Sequence, residues 1–191
     1  MVRQNDVKYV KGIYRKKGVP YAEELVFLDN ILYVNDAELQ DMLPFSFQIY
    51  HMPGHSKDMN VIILPEVKVI FSGDMLINAT TPFILHSVVE YCESLLSIKD
   101  LVIKKNIDYL IPGHGKTAKV QTEILDRIDH EISYVKKMVS VATKLQTINI
   151  PENQIKKRLY QISNDFENLH SHQTNVQTLL REIDQLDDFH F

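Results

Sequence analysis

The stretch His51-Met52-Pro53-Gly54-His55-Ser56-Lys57-Asp58 decides how the rest of this chain is read. It closes an apolar run, Phe45 to Tyr50, and precedes another, Asn60 to Leu64. Proline has no N–H to donate and glycine readily adopts positive φ, so Pro53-Gly54 forbids a continuing strand or helix. A histidine just past such a turn projects from a strand end, held by a rigid sheet and free to reach a metal. Two later stretches share the construction. Val67 to Phe71 runs into Ser72-Gly73-Asp74, and Ile107 to Ile111 runs into Pro112-Gly113-His114-Gly115. Each apolar strand ends in a glycine turn that delivers one metal-competent side chain.

Between the second and third of these units, Val88 to Lys105 predicts an amphipathic helix. Val88, Tyr91, Cys92, Leu95, Leu96, Val102 and Ile103 lie largely on one face. Strand, helix and strand, with the reactive residues at the carboxyl ends of the strands, is an α/β layer pattern. Upstream, residues 1–18 read as a charged helix stopped by Gly18-Val19-Pro20. Short β-leaning pieces follow at Leu25 to Leu28 and Ile31 to Val34. Downstream of Gly115 the pattern becomes helical. Val120, Ile124, Ile128, Ile132, Val135, Val139 and Ala142 mark a long helix closing near Ile150-Pro151. A shorter helix starts at about Pro151, and a last one carries Val176, Leu179, Leu180, Ile183 and Leu186. Residues 1–116 are expected to form the α/β part and 117–191 a helical region.

Composition bounds the function classes. The 191 residues are 45% hydrophobic and 24% charged, which suits a globular protein with a real core. A net charge of −4 gives no whole-chain electrostatic case for nucleic acid. The single cysteine, Cys92, excludes an internal disulfide framework and suits a reducing compartment. No apolar run approaches 18 residues and no apolar leader is present, so the expected location is cytoplasmic, with no membrane partner.

The chemistry rests on His55, Asp74 and His114. Neutral imidazole and carboxylate suit zinc, iron or manganese. An open metal position lowers the pKa of water to about 7. Any one of these residues alone is an ordinary turn residue. Three strand-end units in the order Pro-Gly-His, Ser-Gly-Asp, Pro-Gly-His-Gly point together to a metal site.

On these residues the chain resembles the metallo-β-lactamase-fold hydrolases. His51-Met-Pro-Gly-His55-Ser, Phe71-Ser-Gly-Asp74 and Pro112-Gly-His114-Gly are similar to the last three metal motifs of that family. The likeness covers about residues 45–190. It is greatest to the glyoxalase II-like branch of broad acyl and thioester hydrolases, which the His55-Ser-Lys-Asp58 loop and the helical tail also resemble. The fold implied is the C-terminal part of a metallo-β-lactamase-like αββα sandwich with a helical tail. By the same resemblance His55 would bind a first metal, His114 a second, and Asp74 would bridge them. The implied activity is metal-dependent hydrolysis of an ester, thioester or related acyl bond on a small-molecule substrate, with zinc expected and iron or manganese as alternatives.

The family's first signature, His-x-His-x-Asp-His, is missing from the chain upstream of His55. Half of the implied ligand set goes with it, so the site is expected to be incomplete and the activity truncated or impaired. The alternatives are a non-catalytic remnant, a split half completed by a partner chain, or a ribonuclease-like member of the family; the expected protein partner is a second copy in a homo-oligomer or a complementing chain. His170-Ser-His172 has an H-x-H spacing but lacks the Asp-His that should follow, and it is expected to pack in the helical tail. His130 reads as a solvated helix residue. His51 reads as a neighbour of the site, and His86 as a candidate pocket residue.

Overall fold

The computed structural model describes residues 39–42, 45–162 and 169–184. The expected helix over 1–18 and the β-leaning pieces at 25–28 and 31–34 lie outside the described residues, as does Leu186. Among the described residues, five strands form one sheet in the order of the sequence: β1 (Leu39–Met42), β2 (Phe45–His51), β3 (Asn60–Leu64), β4 (Val69–Gly73) and β5 (Tyr109–Pro112). The first four pair antiparallel as a meander. β5 lies parallel to β4, which requires a crossover, and helix α1 (Val88–Lys104) supplies it.

Strand alternation sets the two faces of the sheet. Val61, Ile63, Ile70, Ser72 and Leu110 are fully buried beneath the helices. The register aligns Ile63 with Ile70 and Ile70 with Leu110, so this core row crosses three strands. On the opposite face the register aligns Ile49, Ile62, Phe71 and Ile111 in a row across four strands. Those residues remain partly exposed: Ile62 is 38% exposed, Phe71 37% and Ile111 36%. One sheet with helices on one side and an apolar opposite side is half of an αββα sandwich, the fold expected from the motifs.

Two strands begin later than the apolar runs suggest. Pro65–Val67 forms a 3₁₀ turn with proline in its first turn, and Lys68 follows at φ 55°, so β4 starts at Val69. β5 starts at Tyr109, after Asn106 at φ 51°. The buried stripe of α1 comprises Val88, Tyr91, Cys92, Ser94, Leu95, Ile98 and Val102. Leu96 and Ile103 are exposed. At about 100° per residue they fall one step off the stripe.

Helix α2 (Gln121–Thr147) packs against α1 and buries Ile124, Ile128, Val135 and Met138, and also Glu131. α3 (Glu152–Tyr160) follows Pro151 at its N-cap, and α4 (Leu169–Arg181) packs on α3. Both fall in the expected helical region after Gly115, but α4 ends at Arg181, so Ile183, expected on this helix, lies just beyond it. α4 is unusual in burying polar side chains, His172, Asn175 and Thr178, among Val176 and Leu179.

Candidate functional site

The three strand-end turns meet at one edge of the sheet. His51 closes β2, and its Nε2–H donates to the Lys57 carbonyl at 2.8 Å, which shapes the loop and occupies that nitrogen. Gly54 then adopts φ 131° with its Cα pressed on the backbone of Tyr91, where a Cβ would clash. Its carbonyl accepts from the N–H groups of His86 (3.1 Å) and Ser87 (3.2 Å), and Ser94 Oγ donates to the Pro53 carbonyl at 2.7 Å. The Pro-Gly turn is thereby strapped to the start of α1, and His55 leaves it with only 13% of its side chain exposed.

The His55 ring is oriented by a backbone group. Nδ1 lies 2.5 Å from the Phe83 carbonyl oxygen, which can only accept, so Nδ1 carries the hydrogen. In the neutral imidazole Nε2 then presents its lone pair. Asp74 Oδ2 stands 3.5 Å from it.

Asp74 follows β4 through Gly73, at φ 56°. Buried Ser72 closes this turn, donating from Oγ to the Met75 carbonyl at 2.7 Å and accepting Met75 N–H on its own carbonyl. The parallel register of Gly73 with Pro112 brings the next turn alongside, and Gly113 N–H donates to the Gly73 carbonyl at 2.6 Å. His114 Nε2 consequently lies 3.5 Å from the other carboxylate oxygen, Asp74 Oδ1. Asn78 fixes the far side of this loop by accepting Lys116 N–H at 2.7 Å.

The structure therefore brings His55, Asp74 and His114 together, with Asp74 between the two rings. A separation of 3.5 Å is longer than an ordinary N–H···O bond. It is close to the spacing of about 3.3 Å between neighbouring donors around a tetrahedral zinc with bonds of about 2.0–2.1 Å. The donors come as two pairs sharing one carboxylate. Among the described residues, no group of three or more His, Cys, Asp or Glu side chains is placed to hold a metal ion by itself. The donor types and spacings thus fit metal in pairs, and a closed site needs further donors.

The histidines set aside from the site occupy other places. His172 is fully buried, with Nε2–H donating to the Leu159 carbonyl at 3.0 Å and Nδ1 accepting from the Tyr134 hydroxyl at 2.8 Å. His170 packs its ring on Phe83, with centroids 5.9 Å apart. His130 is exposed on α2, and His86 pairs with Glu90 at 2.9 Å.

Several supporting residues escaped the reading of the sequence. Glu131 is buried on α2 and accepts from the Tyr91 hydroxyl at 2.6 Å and from the N–H of Leu76, two residues beyond Asp74. Burial pushes its carboxyl up to about 7, against the lowering effect of those two bonds and of the Arg127 charge. Burial, then the Glu131 charge, holds Tyr91 well above the usual phenol range. Burial likewise pushes the Cys92 thiol up to about 11, leaving it a core residue. A charged residue on the apolar stripe of α2 was the available signal for Glu131. For Asn175 it was a polar residue on the stripe of α4.

Comparison with known proteins agrees with this architecture. The profile of the metallo-beta-lactamase superfamily matches residues 3–114, reaching upstream of the quoted motifs and ending on His114. A curated relative, the beta-lactamase-like protein 2 homolog of Caenorhabditis elegans, is 30% identical over 97 residues, 50% of this chain and 31% of that protein. The chain thus spans about a third of that relative's length. A beta-lactamase domain protein from Burkholderia ambifaria superposes with a TM-score of 0.63 at 14% identity, over 91% of this chain and 53% of that one. A metallo-beta-lactamase family protein from Thermus thermophilus gives 0.59 at 15% identity, over 90% and 62%. At these identities the two structures establish a shared fold.

Proposed function

We infer, from the premise that this chain belongs to the metallo-beta-lactamase superfamily, that His55, Asp74 and His114 are metal-holding side chains of a hydrolytic site. The observation that carries the reading is Asp74 standing between two imidazoles with one oxygen turned toward each. Superfamily membership supports metal-dependent hydrolysis as the general chemistry. The finer reading is an ester, thioester or related acyl bond in a small-molecule substrate, with zinc favoured by the imidazole and carboxylate donors and iron or manganese also suited. A divalent ion supplies Lewis acidity and a water of lowered pKa at such a site.

The chain's own residues do the positioning. The Phe83 carbonyl holds His55 in the tautomer whose Nε2 is free. Asp74 offers a separate oxygen to each side. His114, with a side chain 74% exposed, stands where a substrate would arrive from solvent. A second reading, a half-site completed by another chain, is favoured by the two-donor pairs and by the open apolar row on the sheet. The two readings share one test. Zinc-supplemented protein is assayed on a simple thioester, alone and with a fragment carrying His-x-His-x-Asp-His from a relative. Hydrolysis is expected once the fragment is present, and His55→Ala or His114→Ala should each abolish it. Hydrolysis that survives replacement of both histidines would overturn the assignment.

A further inference from the structure

We propose that Asn175, on the C-terminal helix α4, is a positioning residue that sets the His55 imidazole for metal through the Phe83 carbonyl; this rests on the reading of His55 as a ligand. Asn175 does not touch His55. It grips the backbone on both sides of the residue that does.

Its Oδ1 accepts Ile84 N–H at 2.7 Å, and its Nδ2 donates to the Pro82 carbonyl at 2.7 Å. Those two bonds bracket Phe83, whose carbonyl oxygen takes the Nδ1 hydrogen of His55. An N–H can only donate and a carbonyl can only accept, so the orientation of the amide is fixed by its partners. Thr178, one helical turn on, donates to the Ile84 carbonyl at 2.9 Å and extends the grip by one residue. Asn175 is fully buried. A buried amide of this kind is costly unless its bonds are made, so the segment is held in register as well as in place.

The amide is itself fixed from behind. Nδ2 also donates to the Tyr134 hydroxyl at 2.9 Å, Tyr134 donates to His172 Nδ1 at 2.8 Å, and His172 Nε2–H donates to the Leu159 carbonyl at 3.0 Å. Every donor in this series meets an acceptor. α2, α3 and α4 are thereby joined to one loop, 82–84, whose exposed product is the direction of a single carbonyl. A hydrogen-bonded partner on the far nitrogen of a metal-binding histidine fixes its tautomer and ring orientation, and its loss typically weakens metal binding about 10–100-fold. The buried polar stripe of α4 has in this its function. The helical tail is part of the site's construction.

Two measurements on the full chain test this. The first is the tautomer of His55 in metal-free protein, read from long-range ¹H–¹⁵N couplings of the ring. The parent should show the hydrogen on Nδ1, and Asn175→Ala should show a mixture of tautomers. The second is zinc affinity by competition with a chelator, with His55→Ala alongside. Asn175→Ala should weaken zinc about tenfold, while Thr178→Val, which loosens the same loop without releasing the bracket on Phe83, should change it much less. If Asn175→Ala does not fold, Tyr134→Phe removes the hydroxyl that fixes the amide and should shift tautomer and affinity in the same direction. A folded Asn175 or Tyr134 variant with unchanged tautomer and unchanged zinc affinity overturns the proposal. If the parent binds zinc equally well without His55, the ligand reading has failed. The tautomer measurement still decides the role of Asn175.

Discussion

A Cβ placed on Gly113 would sit 2.8 Å from Asp74 Oδ1 and 3.1 Å from the Gly73 carbonyl oxygen. The glycine before His114 thus leaves room for the carboxylate it abuts, and a Cβ there would push Asp74 Oδ1 aside. Gly113→Ala is expected to cost about 1–3 kcal/mol, as overpacking does, and to weaken zinc retention by displacing Asp74. Thermal melts and metal analysis of the same preparation check both effects. Glu131 allows a pH prediction at the same scale. Its carboxyl lies near 7 in the folded chain because burial favours the neutral form, above its ordinary value of 4.5. The stability it contributes is complete below about pH 4.5 and is lost as pH rises through about 7, by about 1.4 kcal/mol per unit between them. Glu131→Gln keeps an acceptor for Tyr91 and removes the titration. The difference in melting temperature, variant minus parent, should grow between about pH 4.5 and 7 and level off above. A difference that is flat across that range would contradict the assignment.

Among the elements, α1 shows how one residue serves both fold and site. Ser87 caps the helix by accepting Glu90 N–H on its side chain at 3.1 Å, while its own N–H holds the Gly54 carbonyl. Ser87→Ala is expected to cost about 1 kcal/mol and Ser87→Gly only a few tenths, measurable by denaturant unfolding. The helices themselves were legible in the sequence. The spacing of Val120 through Ala142 and the stop at Ile150-Pro151 anticipate α2, observed over Gln121–Thr147. The three glycine turns were legible too, because Pro-Gly and Ser-Gly after an apolar run interrupt a strand locally. Strand starts were harder to read: nothing in the side chain of Lys68 announces a left-handed backbone, and Asn106, a residue type that tolerates one just past a helix end, gives only a weak local signal. The supports of the site were hidden for a different reason. Asn175 lies 91 residues from Ile84 and Glu131 lies 40 from Tyr91. Such pairings exist only once the helices have packed, and a single sequence shows each partner as an isolated polar residue.

At the scale of the molecule, the partly exposed apolar face of the sheet stands out among the described residues. Ile49, Ile62, Phe71 and Ile111 form a continuous apolar row across four strands, and exposed rows of this kind promote association. The isolated chain is expected to self-associate in light scattering, and Ile62→Thr with Phe71→Thr should shift it toward monomer. A monodisperse parent monomer would show that this face is covered. With one imidazole on each side of the Asp74 carboxylate, the chain alone should retain at most about one divalent ion, more weakly than a closed site of three or four ligands. Zinc content after equilibrium dialysis, parent beside Asp74→Asn, tests this most directly. Weak, roughly single-ion occupancy is expected in the parent, with loss of that ion in Asp74→Asn. Two tightly held ions, or full retention after Asp74 is replaced, would contradict it.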